Sequence, residues 1–441
     1  MRANRGLLAV LLLALALRLA FGLSQDHQSV YEKRGGDSWV YLDMGYNLMT
    51  GFDYSEVALP TAPVYLIFNG SLQILLPPAA AVITIRIIQA VLGALTCWLL
   101  YRLALLTSGS PRAGLIAAGV VAVAPVFVIE AAQITTETLY IFLLTAGLTL
   151  HVSLSASARP AWLGWAGVGL VFGLATLTRA VALLFPLGLA LHLLLHYGRR
   201  RGVKPAALLL SVYVLVVSTW TVHNLVHWNR FVIAADGFAA FLYVGATNWQ
   251  GPEQVDQNLI QDANLNGAIP DDRAEREAVY QAAAANIILN NPLGYAQRRI
   301  TQLIEAYAQP HGTLYYSGPS LKDLAADWLR ADRSPAGLIA LTRAEGFWPK
   351  LALYGLHYTA LGLGLVGLWL TRRRWRLMLP LAGFILYTTL VHLVLDAIPR
   401  YIFPTEGFWW VFAGIALAAL ADRRRGASLE QPNVSQRMVQ L

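Results

Sequence analysis

Apolar stretches recur along the chain at residues 6–23, 84–106, 113–130, 135–154, 160–178, 181–197, 205–222, 350–371, 377–395 and 403–421, most of them separated by short polar breaks. A helix needs about 20 mostly apolar residues to cross the hydrocarbon core of a bilayer. These stretches meet or approach that length, so the pattern predicts an all-α polytopic membrane protein, a transmembrane bundle of about ten helices. Arg179 interrupts the run 160–197, which predicts two short helices meeting at Thr178-Arg179 rather than one long one. The N-terminal MRANRGLLAVLLLALALRLAFGLSQ has the apolar centre of a signal peptide but no small-residue cleavage pattern, and is read as a retained first span.

Two polar intervals are too long to be simple connectors. The first, 24–83, holds stretches 37–50 and 63–76 that read as short helices lying on the membrane surface. At helical spacing Asp37, Tyr41, Gly45 and Leu48 share one face, while Trp39, Tyr46, Met49 and Phe52 suit the interface. The second interval, 223–349, carries helix signals in DDRAEREAVYQAAAANIILNN, preceded by Asp271 and Asp272, and in PLGYAQRRITQLIEAYAQP, opened by Pro292. The organisation expected is an N-terminal transmembrane module at 1–222, a small, mainly helical outer domain at 223–349, C-terminal transmembrane helices at 350–421, and a polar, disordered tail at 422–441.

Composition agrees with the pattern: 56% of the 441 residues are hydrophobic and 13% charged. The 33 Lys+Arg against 25 Asp+Glu give a formal charge of +8. With the N-terminus inside, the clusters MRANR, SGSPR, SARP, HYGRRRGVK, TRRRWR and DRRR all fall on one side, which puts both termini in the cytoplasm and the long polar intervals outside an inner or plasma membrane. Topology thus absorbs the basic excess, and no nucleic-acid partner is expected. Cys97, the one cysteine, permits neither an intrachain disulfide nor a Cys-based metal site and reads as a core residue. His192 and His196 share a helical face and read as interfacial rather than as ligands, so no metal and no cofactor is expected.

Polar residues at membrane depth are costly and therefore informative. In GGDSWVYLDMGYNLMTGFDY, Asp37, Asp43 and Asp53 can each be a helix cap or a solvated acid. Asp37 is preferred for chemistry because Gly35-Gly36 precede it and a tyrosine follows one turn later; Asp53 and Glu56 read as solvated turn residues. In PVFVIEAAQITTETLYIFLL, Glu130 ends one span and Glu137 begins the next. Glu137 can be explained as a first-turn carboxylate facing the helix dipole after Thr135 or Thr136, whereas Glu130 stands at a helix end the dipole disfavours. Arg18, Arg86, Arg179 and Arg400 lie on the outer side, against the charge rule. Snorkelling accounts for one or two; four at similar depth suggest an anion. The planar guanidinium suits phosphate, and phosphate beside a bilayer suggests a lipid-linked phosphate. His223, in TWTVHNLVHWNRF, is either a packed ring or a residue facing the same cavity as Asp37.

With these segments in order, residues 5–421 resemble the GT-C superfamily of membrane glycosyltransferases, particularly the group of protein O-mannosyltransferases and the aminoarabinose transferase of lipid A. GGDSWVYLDMGYNLMTG is similar to that family's first outer loop, PVFVIEAAQITTETLYIFLL to its acidic outer hairpin, GLATLTRAVALLFP to its arginine motif, and HLVLDAIPRYIFPTEGFWWVFAG to its Arg-Tyr motif before the last span. Three positions depart from it: Ser38 stands where many relatives have a second acid, LPTAPVYL lacks their lysine, and TWTVHN replaces Pro-Trp-x-x-Arg-Asn. The resemblance implies inverting transfer of a sugar from a polyprenyl-phosphate donor to a hydroxyl of an acceptor protein, lipid or glycan on the outer face. It implies Asp37 as the base, Arg179 and Arg400 on the leaving phosphate with Arg86 and Tyr401 next, Tyr41 orienting the base or stacking on a sugar, and Glu130, Glu137 and His223 in the substrate-binding set. The apolar spans would hold the polyprenyl chain among membrane lipids. A transporter or flippase of an anionic or lipid-linked substrate is the rival, and predicts two similar halves with broken mid-membrane helices; a scaffold would leave Asp37 idle. Which sugar and which acceptor are open at this point.

Overall fold

The computed structural model describes residues 2–32, 36–51, 61–158, 161–247, 252–263, 265 and 268–424. All regular structure among them is helical. Among the described residues eight helices are long and apolar enough to cross a membrane: Arg5–Ser24, Pro78–Ser108, Glu137–Ala156, Ala180–Tyr197, Arg199–Trp228, Phe347–Leu370, Arg372–Val394 and Pro399–Arg423. The other two expected spans form shorter helices, Pro111–Val123 and Leu163–Thr176. The first of these is cut by Pro125, which restarts the chain as the short helix Pro125–Glu130. The second ends in the turn at Thr178-Arg179, where the N–H groups of both residues return to the Ala175 carbonyl. The expected tail begins at 422, but residues 422–424 continue the last helix; 425–441 lie outside the described residues.

A proline has no N–H to give, so the carbonyl four residues before it loses its helical partner. Here Pro125 strands the carbonyl of Val121, and Arg18 of the first span supplies the donors: Nη2 bonds Val121 O at 3.0 Å and Nη1 bonds Ala122 O at 3.0 Å and Ala14 O at 3.1 Å. Arg18 is 1% exposed and lies against Gly93 of the Pro78–Ser108 helix, where an added Cβ would sit 2.5 Å from its Nε. Burying a guanidinium inside a bundle is tolerable only when its donors are used. The arginine is therefore a brace for a broken helix.

The Pro78–Ser108 helix packs on the first span, on Pro111–Val123 and on Glu137–Ala156, and the last helix, Glu406–Arg424, packs on Phe347–Leu370 and Pro111–Val123. Phe408, Phe412 and Trp410 of that last helix are almost wholly enclosed. In the first polar interval the helices Asp37–Thr50 and Pro63–Leu75 form and lie against each other. Gly45 and Gly70 permit the close crossing: a Cβ on Gly70 would fall 2.1 Å from the Gly45 carbonyl oxygen, and one on Gly45 would fall 2.0 Å from Asn69 Oδ1. Gln73 Nε2 then donates to Leu42 O at 2.8 Å, tying the pair together.

The helix that carries His223 continues to Trp228 and ends at Asn229 in the left-handed conformation, with φ of 50°. The polar segment beyond it is a set of helices, among them Phe238–Ala246, Arg273–Asn290 and Pro292–Ala308, with a small core of Tyr243, Leu259, Ala283 and Ala284. It is seated on the spans by polar contacts. Tyr307 Oη pairs with Thr389 Oγ1 at 2.6 Å, Tyr358 Oη donates to Ala308 O at 2.7 Å, and the buried Lys350 donates to the carbonyls of Ser317, Gly318 and Pro319.

Candidate functional site

Where the two short helices of the first interval meet the bundle, four charged side chains from distant parts of the chain form a line. Glu137 opens the Glu137–Ala156 helix and is fully buried. Its Oε1 accepts from Arg179 Nη1 at 2.5 Å and from Arg400 Nε, and Arg400 Nη1 donates onward to Asp37 Oδ2. The order is cation, anion, cation, anion. A lone buried carboxylate would cost several kcal/mol, and two guanidinium groups on one oxygen offset that cost. Side-chain exposure along the line is 17% at Arg179, 0% at Glu137, 26% at Arg400 and 59% at Asp37. Glu137 is the buried centre, and the open Asp37 end is where a ligand can compete.

Local sequence positions each member. Asp37 is the first residue of its helix, entered through the extended Gly36. Arg179 is extended, at φ −146° and ψ 118°, in the turn after the Leu163–Thr176 helix. Arg400 follows the proline that starts the short helix Pro399–Ile402. Tyr401 lies with its ring 5.9 Å from the Arg179 guanidinium and stacks on His392 at 5.1 Å. Tyr41, one turn after Asp37, meets Tyr65 edge-on at 5.5 Å; burial, and then the Glu137 carboxylate, push its hydroxyl above the usual tyrosine range. Tyr65 Oη bonds Gln89 Oε1, and Gln89 Nε2 in turn bonds the carbonyls of Ala131 and Gln133, so the turn before Glu137 is fixed to the same assembly.

Glu130 belongs to a neighbouring cluster. Its Oε1 accepts from His311 Nε2 at 2.5 Å and from the Tyr315 hydroxyl. Burial, and then Glu130, hold the Tyr315 hydroxyl well above its ordinary value. His311 also packs on Phe403, with centroids 4.8 Å apart, three residues beyond Arg400. Sequence reasoning passed over His311 and Tyr315. The available signal was the stretch QPHGTLYY, which holds the single histidine between 229 and 346 beside Gly312, whose φ is 90°.

Of Arg18, Arg86, Arg179 and Arg400, then, two meet at the cluster and two do not. Arg18 is the brace described above. Arg86 donates through Nε to Ala132 O at 3.0 Å and through Nη1 to Asp26 O at 3.2 Å, and touches His27; it joins the end of the first span to the turn before Glu137. The structure does not gather all four at one place: backbone carbonyls accept from Arg18 Nη1 and Nη2 and from Arg86 Nε and Nη1. His223 stacks on Trp220 at 4.9 Å and lies against His227 and Trp228, apart from the cluster. Asp43 accepts from Asn47, and Ser38 Oγ accepts from the Ile134 N–H. Asp53 and Glu56 lie outside the described residues. His192 is buried rather than interfacial, 2.8 Å from His151 Nε2 and bonded to Arg376 O at 2.7 Å. Among the described residues no three His, Cys, Asp or Glu side chains gather in a group suited to a metal.

Residues 57–223 match the family model described as dolichyl-phosphate-mannose-protein mannosyltransferase. No curated protein matches the chain in sequence. Among solved structures, the archaeal oligosaccharyltransferase AglB from Archaeoglobus fulgidus, in complex with an inhibitory peptide and a dolichol-phosphate, is similar with a TM-score of 0.55 at 15% identity, over 98% of this chain and 52% of that one. The Archaeoglobus fulgidus oligosaccharyltransferase in complex with Zn and sulfate gives a TM-score of 0.55 at 14% identity, over 95% and 50%. ArnT from Cupriavidus metallidurans, bound to undecaprenyl phosphate, gives 0.38 at 15%, over 94% and 78%. The chain spans about half the length of the oligosaccharyltransferase it matches, and the likeness is one of fold.

Proposed function

From a GT-C type of fold whose 57–223 stretch matches a mannosyltransferase family model, we propose that the chain is an inverting glycosyltransferase, moving a sugar from a polyprenyl-phosphate donor to an acceptor hydroxyl on the outer face of the membrane. The observation that carries the reading is the pairing of Arg400 with Asp37 at the open end of the charged line. A lipid phosphate arriving at Arg179 and Arg400 competes with Asp37 for the Arg400 donors, since phosphate accepts the same forked hydrogen bonds. Displaced from Arg400, the Asp37 carboxylate is free to face the attacking hydroxyl, across the sugar from the phosphate, and can take its proton.

Bond changes balance simply. The acceptor oxygen forms a bond to the anomeric carbon from the face opposite the phosphate, the bond from that carbon to the phosphate oxygen breaks, and the hydroxyl proton goes to Asp37. Positive charge on the ring in the transition state is offset by the carboxylate, and charge on the departing phosphate by the two arginines, which Glu137 holds in place. The test is transfer of radiolabelled sugar from a panel of polyprenyl-phosphate sugars by purified protein, with Asp37→Asn alongside. Transfer by the native chain and its loss in a folded variant would support the reading; a well-folded native protein that neither binds nor consumes any donor would overturn it.

A further inference from the structure

The helix Pro292–Ala308 of the polar segment has three different faces. One packs on the protein: Arg299 and Ala306 are buried, and Tyr295 Oη donates to Val394 O at 2.5 Å. A second is polar and exposed, with Gln297, Thr301 and Glu305 at steps of four residues and Glu305 paired to Lys322 at 3.2 Å. The third is apolar and exposed as well. Leu293, Ile300 and Ile304, at 83%, 52% and 62% exposure, recur there at the helical period with the exposed Ala296 among them. The described residues leave this stripe open.

The bonds that seat the helix fix its level against the spans. Its first turn meets Val394, the last residue of the Arg372–Val394 span. Its last turn lies further along that span: Tyr307 Oη pairs with Thr389 Oγ1 at 2.6 Å, five residues before Val394 and roughly 7–8 Å away at the helical rise. On the Phe347–Leu370 span, His357 Nε2 donates to Tyr307 O and Tyr358 Oη to Ala308 O, each at 2.7 Å. These two residues lie roughly 15 Å from the start of a helix whose 24 residues cover roughly 36 Å, little more than the ~30 Å hydrocarbon core. The helix therefore descends past the ends of two spans, and a partner dissolved in water would have to enter the bilayer to reach its stripe. On the Arg372–Val394 span the exposed Leu386, Leu390 and Val394 form one row that runs up to the Tyr295 contact, so the lipid-facing surface of the bundle continues onto the helix. We infer that Pro292–Ala308 is an interfacial anchor, its stripe of Leu293, Ile300 and Ile304 set into the acyl chains of the leaflet on the polar segment's side and its Gln297, Thr301 and Glu305 face turned to headgroups and water. The helix ends three residues before His311, so seating in lipid also holds that histidine at Glu130. The inference depends on the spans crossing a membrane and not on sugar transfer.

The test puts nitroxide labels on single introduced cysteines in the full chain, reconstituted in nanodiscs of phosphatidylethanolamine and phosphatidylglycerol. Electron paramagnetic resonance then reads collisions with oxygen, which concentrates among acyl chains, and with a water-soluble nickel chelate. Cys97 is buried and stays in place, and the unsubstituted chain taken through the same labelling gives the background. Leu293→Cys, Ile300→Cys and Ile304→Cys should lose nearly all collisions with the chelate and gain collisions with oxygen, relative to Gln297→Cys and Thr301→Cys. All five positions are exposed, so the label displaces no packed side chain. Equal chelate collisions on the stripe and on the polar face would put the whole helix in water and overturn the inference. Few collisions with either reagent on the stripe would mean that protein covers it, a second copy or another chain, and would overturn it too. The label at 304 should also read deeper than the label at 293, because the last turn is the one bonded further along the spans; the reverse order would overturn the placement.

Discussion

Arg400 reaches across 363 residues of chain to hydrogen-bond the carboxylate of Asp37. The bond joins the start of a short helix in the first polar interval to the segment that introduces the last span, and it closes the open end of the charged line.

If phosphate and Asp37 compete for Arg400, neutralising Asp37 has two opposite effects. Asp37→Asn is expected to lower kcat by roughly 10²–10⁴ through loss of the base, while polyprenyl phosphate binds at least as tightly as to the native chain because its competitor is weakened. Turnover and equilibrium binding of the bare lipid phosphate check this. Weaker phosphate binding in the variant would show that Asp37 supports the anion site rather than shielding it.

Glu137 is the buried hinge of the same line, and its removal should act on stability first. Glu137→Gln leaves two guanidinium groups without their shared counter-charge, a loss of about 3–5 kcal/mol by comparison with other broken buried ion pairs. The thermal midpoint of the purified protein should fall markedly. An unchanged midpoint would mean that Arg179 and Arg400 find other partners.

Arg18 separates a brace from an anion site. Arg18→Met should cost about 1–3 kcal/mol for each carbonyl left bare, and the protein that remains folded should keep its KM for a lipid-phosphate donor. A large rise in that KM with native stability would return Arg18 to the ligand set.

Gly45 should be intolerant of a side chain. Gly45→Ala places a methyl 2.0 Å from Asn69 Oδ1, so Asn69 must give up its bonds to Tyr65 O and Gln73 or the Asp37–Thr50 and Pro63–Leu75 helices must separate; overpacking of this kind costs about 1–3 kcal/mol. Faster amide hydrogen exchange in Asp37–Thr50, with lower turnover, is the expected result. Native exchange rates would show that the crossing has slack.

The all-helical bundle, eight of the ten expected spans, the two short helices of the first interval and the break at Thr178-Arg179 were legible in the chain, because apolar length, proline and turn chemistry act locally. Asp37, Glu137, Arg179 and Arg400 were each visible as charges out of place. Their arrangement was not, nor was the sorting of the arginines: Arg18 and Arg86 stand out in sequence as strongly as Arg179 and Arg400, and only the folded chain shows backbone carbonyls on the first pair and carboxylates on the second. His311 and Tyr315 were hidden for the same reason. A carbonyl stranded by a proline, or a buried carboxylate, is decided by which donors distant segments bring to it, and hydropathy and spacing hold no record of that.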